Sequence, residues 1–117
     1  MCVAVGNYTF LGCSNLSNIN ISSCTSISNG AFQTCTNLSS INLPLCTSIG
    51  AYAFQDCYSL SNINIPVCTS INSNAFYNCF GLLNINLSAC VSLSAYAFYG
   101  CSNLTSVILS ACTYIGA

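Results

Sequence analysis

Eleven cysteines set the organisation of this chain. They are Cys2, Cys13, Cys24, Cys35, Cys46, Cys57, Cys68, Cys79, Cys90, Cys101 and Cys112, each 11 residues after the one before. A stride this regular marks an internal repeat, and a repeat decides the fold before any local propensity does. Alternate cysteines have different neighbours, so the stride covers half a unit. The pairs Ala31-Phe32, Ala53-Phe54, Ala75-Phe76 and Ala97-Phe98 confirm a 22-residue unit, with Thr9-Phe10 as a degenerate first copy. The sequence divides into a partial repeat 1–12, repeats 13–34, 35–56, 57–78 and 79–100, and a partial repeat 101–117. Together they form a single solenoid array over 1–117.

Stacked at that period, the chain has eight apolar columns. Two are the cysteine ladders, one through Cys13, Cys35, Cys57, Cys79 and Cys101, the other through Cys2, Cys24, Cys46, Cys68, Cys90 and Cys112. The others run through Leu16, Ile19, Ile21 and Ile27 with their equivalents, and through the Ala and Phe positions. Ile19-Asn20-Ile21 alternates with period two, which predicts a short strand. From Cys24 to Phe32 the apolar spacing widens and Ser, Asn and Gly intervene, which predicts a turn and an irregular or 3₁₀ segment. One such unit cannot bury its apolar face alone. Stacked units can, and their strands then form a continuous parallel sheet.

Leu16-x-x-Ile19-x-Ile21-x-x-Cys24 fits the pattern L-x-x-L-x-L-x-x-N/C, and the fit repeats from Leu38, Leu60, Leu82 and Leu104. The continuation Cys46-x-x-Ile49-x-x-x-Ala53-Phe54-x-x-Cys57, with Leu43-Pro44 and Ile65-Pro66, resembles the BspA-like subclass of leucine-rich-repeat proteins. The resemblance covers essentially the whole chain. It implies a right-handed, curved solenoid with a parallel sheet on its inner face and irregular or 3₁₀ segments opposite. It also implies adhesion or recognition at an extracellular, cell or particle surface.

Charge excludes several functions. The chain has no Lys, Arg or His, and Asp56 is its one charged side chain. Nothing can neutralise phosphates, which argues against nucleic acid and against anionic membrane surfaces. Although 54% of residues are apolar, no run approaches the about 20 residues of a membrane helix, which argues against insertion. Met1 to Gly6 has neither the basic nor the long apolar region of a signal peptide. An enzyme is not expected: there is no base, acid or cationic clamp, and no group to activate a thiol. No cofactor motif is present.

The cysteines admit three readings. They can be ladders of buried free thiols, packing as small hydrophobes. Disulfides between adjacent coils would meet a strand spacing of about 4.8 Å, within the usual Cα range of about 4.4–6.8 Å but with parallel side chains held wide. Zinc sites use cysteine pairs two to four residues apart, which an 11-residue stride lacks. No metal site is expected.

The candidate binding face is the outward side of the predicted strands: Asn18, Asn20, Ser40, Asn42, Asn62, Asn64, Asn84 and Asn86. These side chains can form an amide ladder that stabilises stacking, or a face for a protein or a neutral glycan. Tyr52 and Tyr96 share one column, Tyr77 and Tyr99 a second, Tyr58 and Phe80 a third. They lie outside the core pattern, are expected to be partly exposed, and are candidate interface aromatics. Of six N-x-S/T sequences, Asn15, Asn37 and Asn103 are the positions suited to glycosylation, while Asn20 and Asn86 fall on predicted strands. Thr25, Thr47, Thr69 and Thr113 form a column that would suit an ice- or crystal-binding face, interrupted by Val91.

No polar cap is visible at either end, and solenoids need caps to block open sheet edges. The expectation is a segment of a longer array, or a chain that polymerises with copies of itself. Near-zero net charge favours such self-association. The leading reading is thus a surface-exposed binding or adhesion solenoid, and the alternative a self-assembling filament or particle component.

Overall fold

The computed structural model describes residues 4–116. It holds ten short strands: β1 (Ala4–Val5), β2 (Ser26–Ile27), β3 (Ser40–Asn42), β4 (Ser48–Ile49), β5 (Asn62–Asn64), β6 (Ser70–Ile71), β7 (Asn84–Asn86), β8 (Ser92–Leu93), β9 (Ser106–Ile108) and β10 (Tyr114–Ile115). All pairings are parallel, and every partner lies 22 residues along the chain, as in Ile41↔Ile63 and Ser48↔Ser70. The repeat is therefore one coil. A coil this short must turn several times, which limits each strand to two or three residues.

The period-two segments 40–42, 62–64, 84–86 and 106–108 form strands where the pattern places them, but their sheet is discontinuous. β3 pairs with β5 and β7 pairs with β9, without a ladder between β5 and β7. The break follows Phe80-Gly81, where Gly81 N donates to Tyr58 O at 3.1 Å. The segment 19–21 is in no strand.

The longest sheet lies elsewhere. Six strands, β1-β2-β4-β6-β8-β10, run unbroken through the segment expected to be irregular or 3₁₀. No described residue is helical. Hydrogen bonding explains the difference. From Ser28 to Cys35, alternate amides bond within the coil and between coils. Ala31, Gln33 and Cys35 donate to the carbonyls of Ser28, Gly30 and Phe32, whereas Gly30, Phe32 and Thr34 donate to Ala51, Ala53 and Gln55 of the next coil, each at 2.8 Å. A 3₁₀ helix would use every amide internally. Here every second one is spent on stacking.

That alternation needs left-handed backbone at two positions per coil. One column is Tyr8, Gly30, Tyr52, Asn74 and Tyr96, with φ between 56° and 63°; the other is Gly12, Thr34, Asp56, Asn78 and Gly100, with φ between 58° and 78°. Glycine and asparagine suit this region, and bulky or β-branched residues do not. Gly30 has a second reason to be glycine, since a Cβ there would collide with the Tyr8 ring.

The interior is a set of side-chain ladders. Phe10, Phe32, Phe54, Phe76 and Phe98 stack ring on ring, with centroids 5.1–5.3 Å apart and planes within 13°. Leu38, Leu60, Leu82, Ile49 and Ile71 are fully buried beside them. No polar or charged residue is buried among the described residues, so the core is wholly apolar.

Candidate binding surface

Both cysteine ladders lie in or against this core. Cys24, Cys35, Cys46, Cys57, Cys68, Cys79 and Cys90 are buried, and Cys13, Cys101 and Cys112 half-buried; no disulfide joins any two of these ten. Cys2 lies outside the described residues. The two columns use their S–H groups differently. Cys35, Cys57, Cys79 and Cys101 donate to the phenylalanine carbonyl 25 residues earlier, at 3.0–3.1 Å. Cys24, Cys46, Cys68 and Cys90 donate to the serine carbonyl two residues on, at 3.0–3.3 Å.

Burial pushes the Cys35 and Cys46 thiols up to about 11 and Cys68 to about 12. Cys79 is raised by its side-chain hydrogen bond with Cys101 and then by burial. These are neutral packing groups, the opposite of activated nucleophiles. No three His, Cys, Asp or Glu residues among those described gather around a metal-sized site.

The strand face carries two kinds of polar group. In the column of Ser17, Ser39 and Ser61, the two later hydroxyls donate to the carbonyl one coil earlier, Ser39 to Ser17 at 3.3 Å and Ser61 to Ser39 at 3.2 Å. The neighbouring Asn18, Ser40, Asn62 and Asn84 are exposed, and their side chains have no intramolecular partner.

Asn20, Asn42, Asn64 and Asn86 are also exposed, but their carboxamides are held locally. Asn20 and Asn86 cap the following turn, accepting from Ser22 N at 3.3 Å and Ser88 N at 3.0 Å. Asn42 and Asn64 cannot do so, because Pro44 and Pro66 occupy those positions and proline has no N–H. They turn to each other instead, with Asn64 Nδ2 donating to Asn42 Oδ1 at 2.6 Å. Proline placement decides which amides join a ladder.

Threonine makes a ladder on the six-stranded side. Thr47 Oγ1 donates to Thr25 O at 3.2 Å and Thr69 Oγ1 to Thr47 O at 3.1 Å. Among the aromatics, Tyr58 stacks on Phe80 at 5.2 Å and Tyr77 on Tyr99 at 5.0 Å, and Tyr96 meets Tyr99 edge-on at 5.8 Å. Tyr52 stands apart from Tyr96, since Asn74 of the intervening coil separates them in their column. Asn74, Tyr77, Tyr96 and Tyr99 line an open groove of about 450 Å³. Sequence reasoning did not find this groove or the left-handed columns. The recurrence of Gly, Asn and Asp at 30, 74, 56 and 78 was the available signal for the columns.

Parallel 22-residue coils with an L-x-x-L-x-L-x-x-C core define a leucine-rich-repeat solenoid, as the sequence pattern implied. The chain matches the BspA type leucine-rich repeat region, in six copies, over residues 25–117, and belongs to that family. The T. pallidum leucine-rich repeat protein is similar in structure, with a TM-score of 0.77 and 26% identity over 97% of this chain and 66% of its own. A leucine-rich repeat protein from Bacteroides ovatus gives 0.61 and 21% identity over 97% of this chain and 43% of its own. A leucine-rich cell surface protein from Faecalibacterium prausnitzii gives 0.50 and 24% identity over 80% of this chain and 31% of its own. The chain thus spans less than two thirds of each of these proteins. No curated protein matches it. No helix among the described residues is long and apolar enough to cross a membrane.

Proposed function

We propose that this chain is a non-catalytic, surface-exposed recognition module that holds a protein or a neutral glycan on the outward face of its Asn-Ile-Asn strands. One observation carries the reading. Asn18, Ser40, Asn62 and Asn84 project unpaired polar groups at one per coil, from a backbone whose adjacent hydroxyls are tied down coil to coil. Binding there satisfies donors and acceptors carried on an ordered backbone, so the entropy lost on association is that of short side chains alone. With no cation or anion on the face, the partner must be read by hydrogen bonds and shape. The absence of His, Lys and Arg supports a non-catalytic role. The F. prausnitzii relative, a cell surface protein, supports a place on a cell or particle surface.

The test is to probe the full chain against arrays of neutral glycans and extracellular protein domains, beside an Asn62→Ala/Asn84→Ala variant. The reading expects a partner whose affinity falls at least about tenfold in the variant while the melting temperature holds, since such exposed substitutions move stability by only about 0.5 kcal/mol. Absence of any partner, or a partner indifferent to both substitutions, would refute it.

A second reading, self-association, is favoured by the exposed apolar residues Leu45, Val67 and Val91 on a chain with almost no repulsive charge. It predicts particles larger than one chain by light scattering in dilute reducing buffer.

A further inference from the structure

The groove between Tyr77, Tyr96 and Tyr99 lies on the turn segment that follows the six-stranded sheet, apart from the Asn/Ser strand face. We propose that it is a second, independent binding site, built for one unit of a neutral saccharide.

Three features support this. The first is ring geometry. Tyr77 and Tyr99 stack at 5.0 Å with planes 16° apart, and Tyr96 meets Tyr99 at 5.8 Å and 74°. The rings make a corner in which an apolar C–H face can lie against one ring while its edge meets another. At about 450 Å³ the groove is in the range of small-molecule sites.

The second is unspent hydrogen bonding. The phenol hydroxyls of Tyr77, Tyr96 and Tyr99 and the carboxamide of Asn74 have no intramolecular partner. A pyranose offers both things this lining wants, an apolar ring face and a rim of hydroxyls. Charged ligands find no counterpart, because the one charged side chain, Asp56, accepts from Asn78 Nδ2 at 3.0 Å. A proline-rich peptide would suit tyrosines too, but it needs a long groove and presents mainly carbonyls. This groove spans two coils.

The third is backbone strain. Tyr96 has φ 59°, in a column where Gly30 and Asn74 show what the backbone accepts without cost. Tyr96 is 56% exposed and adds little to the core. Tyr8 and Tyr52 share this conformation, so the strain belongs to the column; at Tyr96 the left-handed backbone sets the exposed ring edge-on to Tyr99 and so forms one wall of the groove.

The experiment is a titration of the full chain with maltose, cellobiose, lactose and chitobiose, read by tyrosine emission and ligand-observed NMR. At least one sugar should saturate in the millimolar range or tighter. Tyr96→Asn, which suits the left-handed backbone and so keeps the fold, should weaken it at least about tenfold, as should Tyr99→Ala. Asn62→Ala/Asn84→Ala on the strand face should leave it unchanged, which separates this site from the one proposed above. The idea fails if none of the four sugars saturates, if Tyr96→Asn binds as well as the parent, or if a proline-rich decapeptide occupies the groove in their place.

Discussion

Replacing Phe54 with alanine removes the centre of the phenylalanine stack. Phe54 is fully buried, 5.2 Å from Phe32 and 5.3 Å from Phe76. Truncating a buried phenylalanine costs about 3–5 kcal/mol, including the cavity it leaves. In urea, with a slope of about 2 kcal/mol per molar, this moves the midpoint down by about 2 M. Phe10 is the informative control. It is only partly buried and has one ring neighbour, Phe32 at 5.1 Å. Phe10→Ala should cost about half as much, near 2 kcal/mol. Phe54→Leu roughly keeps the volume and loses two ring contacts, so it should cost about 1–2 kcal/mol and remain measurable if the alanine variant does not fold. The assay is circular dichroism against urea under reducing conditions. Equal costs at positions 10 and 54, or a Phe54→Ala cost below about 1 kcal/mol, would refute a core built as a one-dimensional stack.

Three further outcomes follow from the geometry. Thr34→Gly should stabilise by about 1 kcal/mol by relieving a β-branched residue at φ 58°, whereas Gly30→Ala should destabilise by more than that, through both its φ of 63° and the Tyr8 ring; thermal melts decide both. Stability should be full below pH 9 and fall through pH 11: unfolded thiols release their protons from about 9.0, while Cys35 and Cys46 hold theirs to about 11 in the fold, so melting midpoints should drop on the alkaline side. Pro44→Ser restores an N–H two residues after Asn42, so the Asn42 carboxamide should turn to it as Asn86 does to Ser88; the Asn64 side-chain amide would then lose its 2.6 Å acceptor, visible as an upfield shift in a nitrogen–proton spectrum.

Much of the fold was legible because the repeat is strict. The cysteine stride and the Ala-Phe pairs give the 22-residue coil directly, and the columns through Leu38, Ile41, Leu43, Cys46 and Ile49 are the buried ones. Asn-Ile-Asn read as strand because its alternation has period two. The segment from Cys24 to Phe32 turns from Asn29 onward, as its spacing predicts, but the strand Ser26–Ile27 within it is two residues long, too short for a periodic signal, and its ladder is sustained by partners 22 residues away. Local pattern cannot see a hydrogen bond that belongs to the next coil.

The candidate face was legible in the same degree. Exposure at Asn18, Ser40, Asn62 and Asn84 follows from alternation beside Ile19, Ile41, Ile63 and Ile85. The division of Asn20, Asn42, Asn64 and Asn86 into turn caps and a mutual pair was not foreseen, although Pro44 and Pro66 encode it. The tyrosine columns were visible as columns. The groove they make was not, since it depends on Tyr96 turning toward Tyr99 within one coil.

The account rests on coils laddered without a break along the six-stranded side and in two separate pairs along the strand face, which together hold the uncharged surface in place. Residue-resolved amide hydrogen exchange tests this most directly. Gly30, Phe32 and Thr34, whose amides donate to the next coil, should be protected as strongly as Leu43, whose amide donates to Asn64 O of β5. Strong protection confined to the Asn-Ile-Asn strands, with the amides of 30, 32 and 34 exchanging freely, would contradict it.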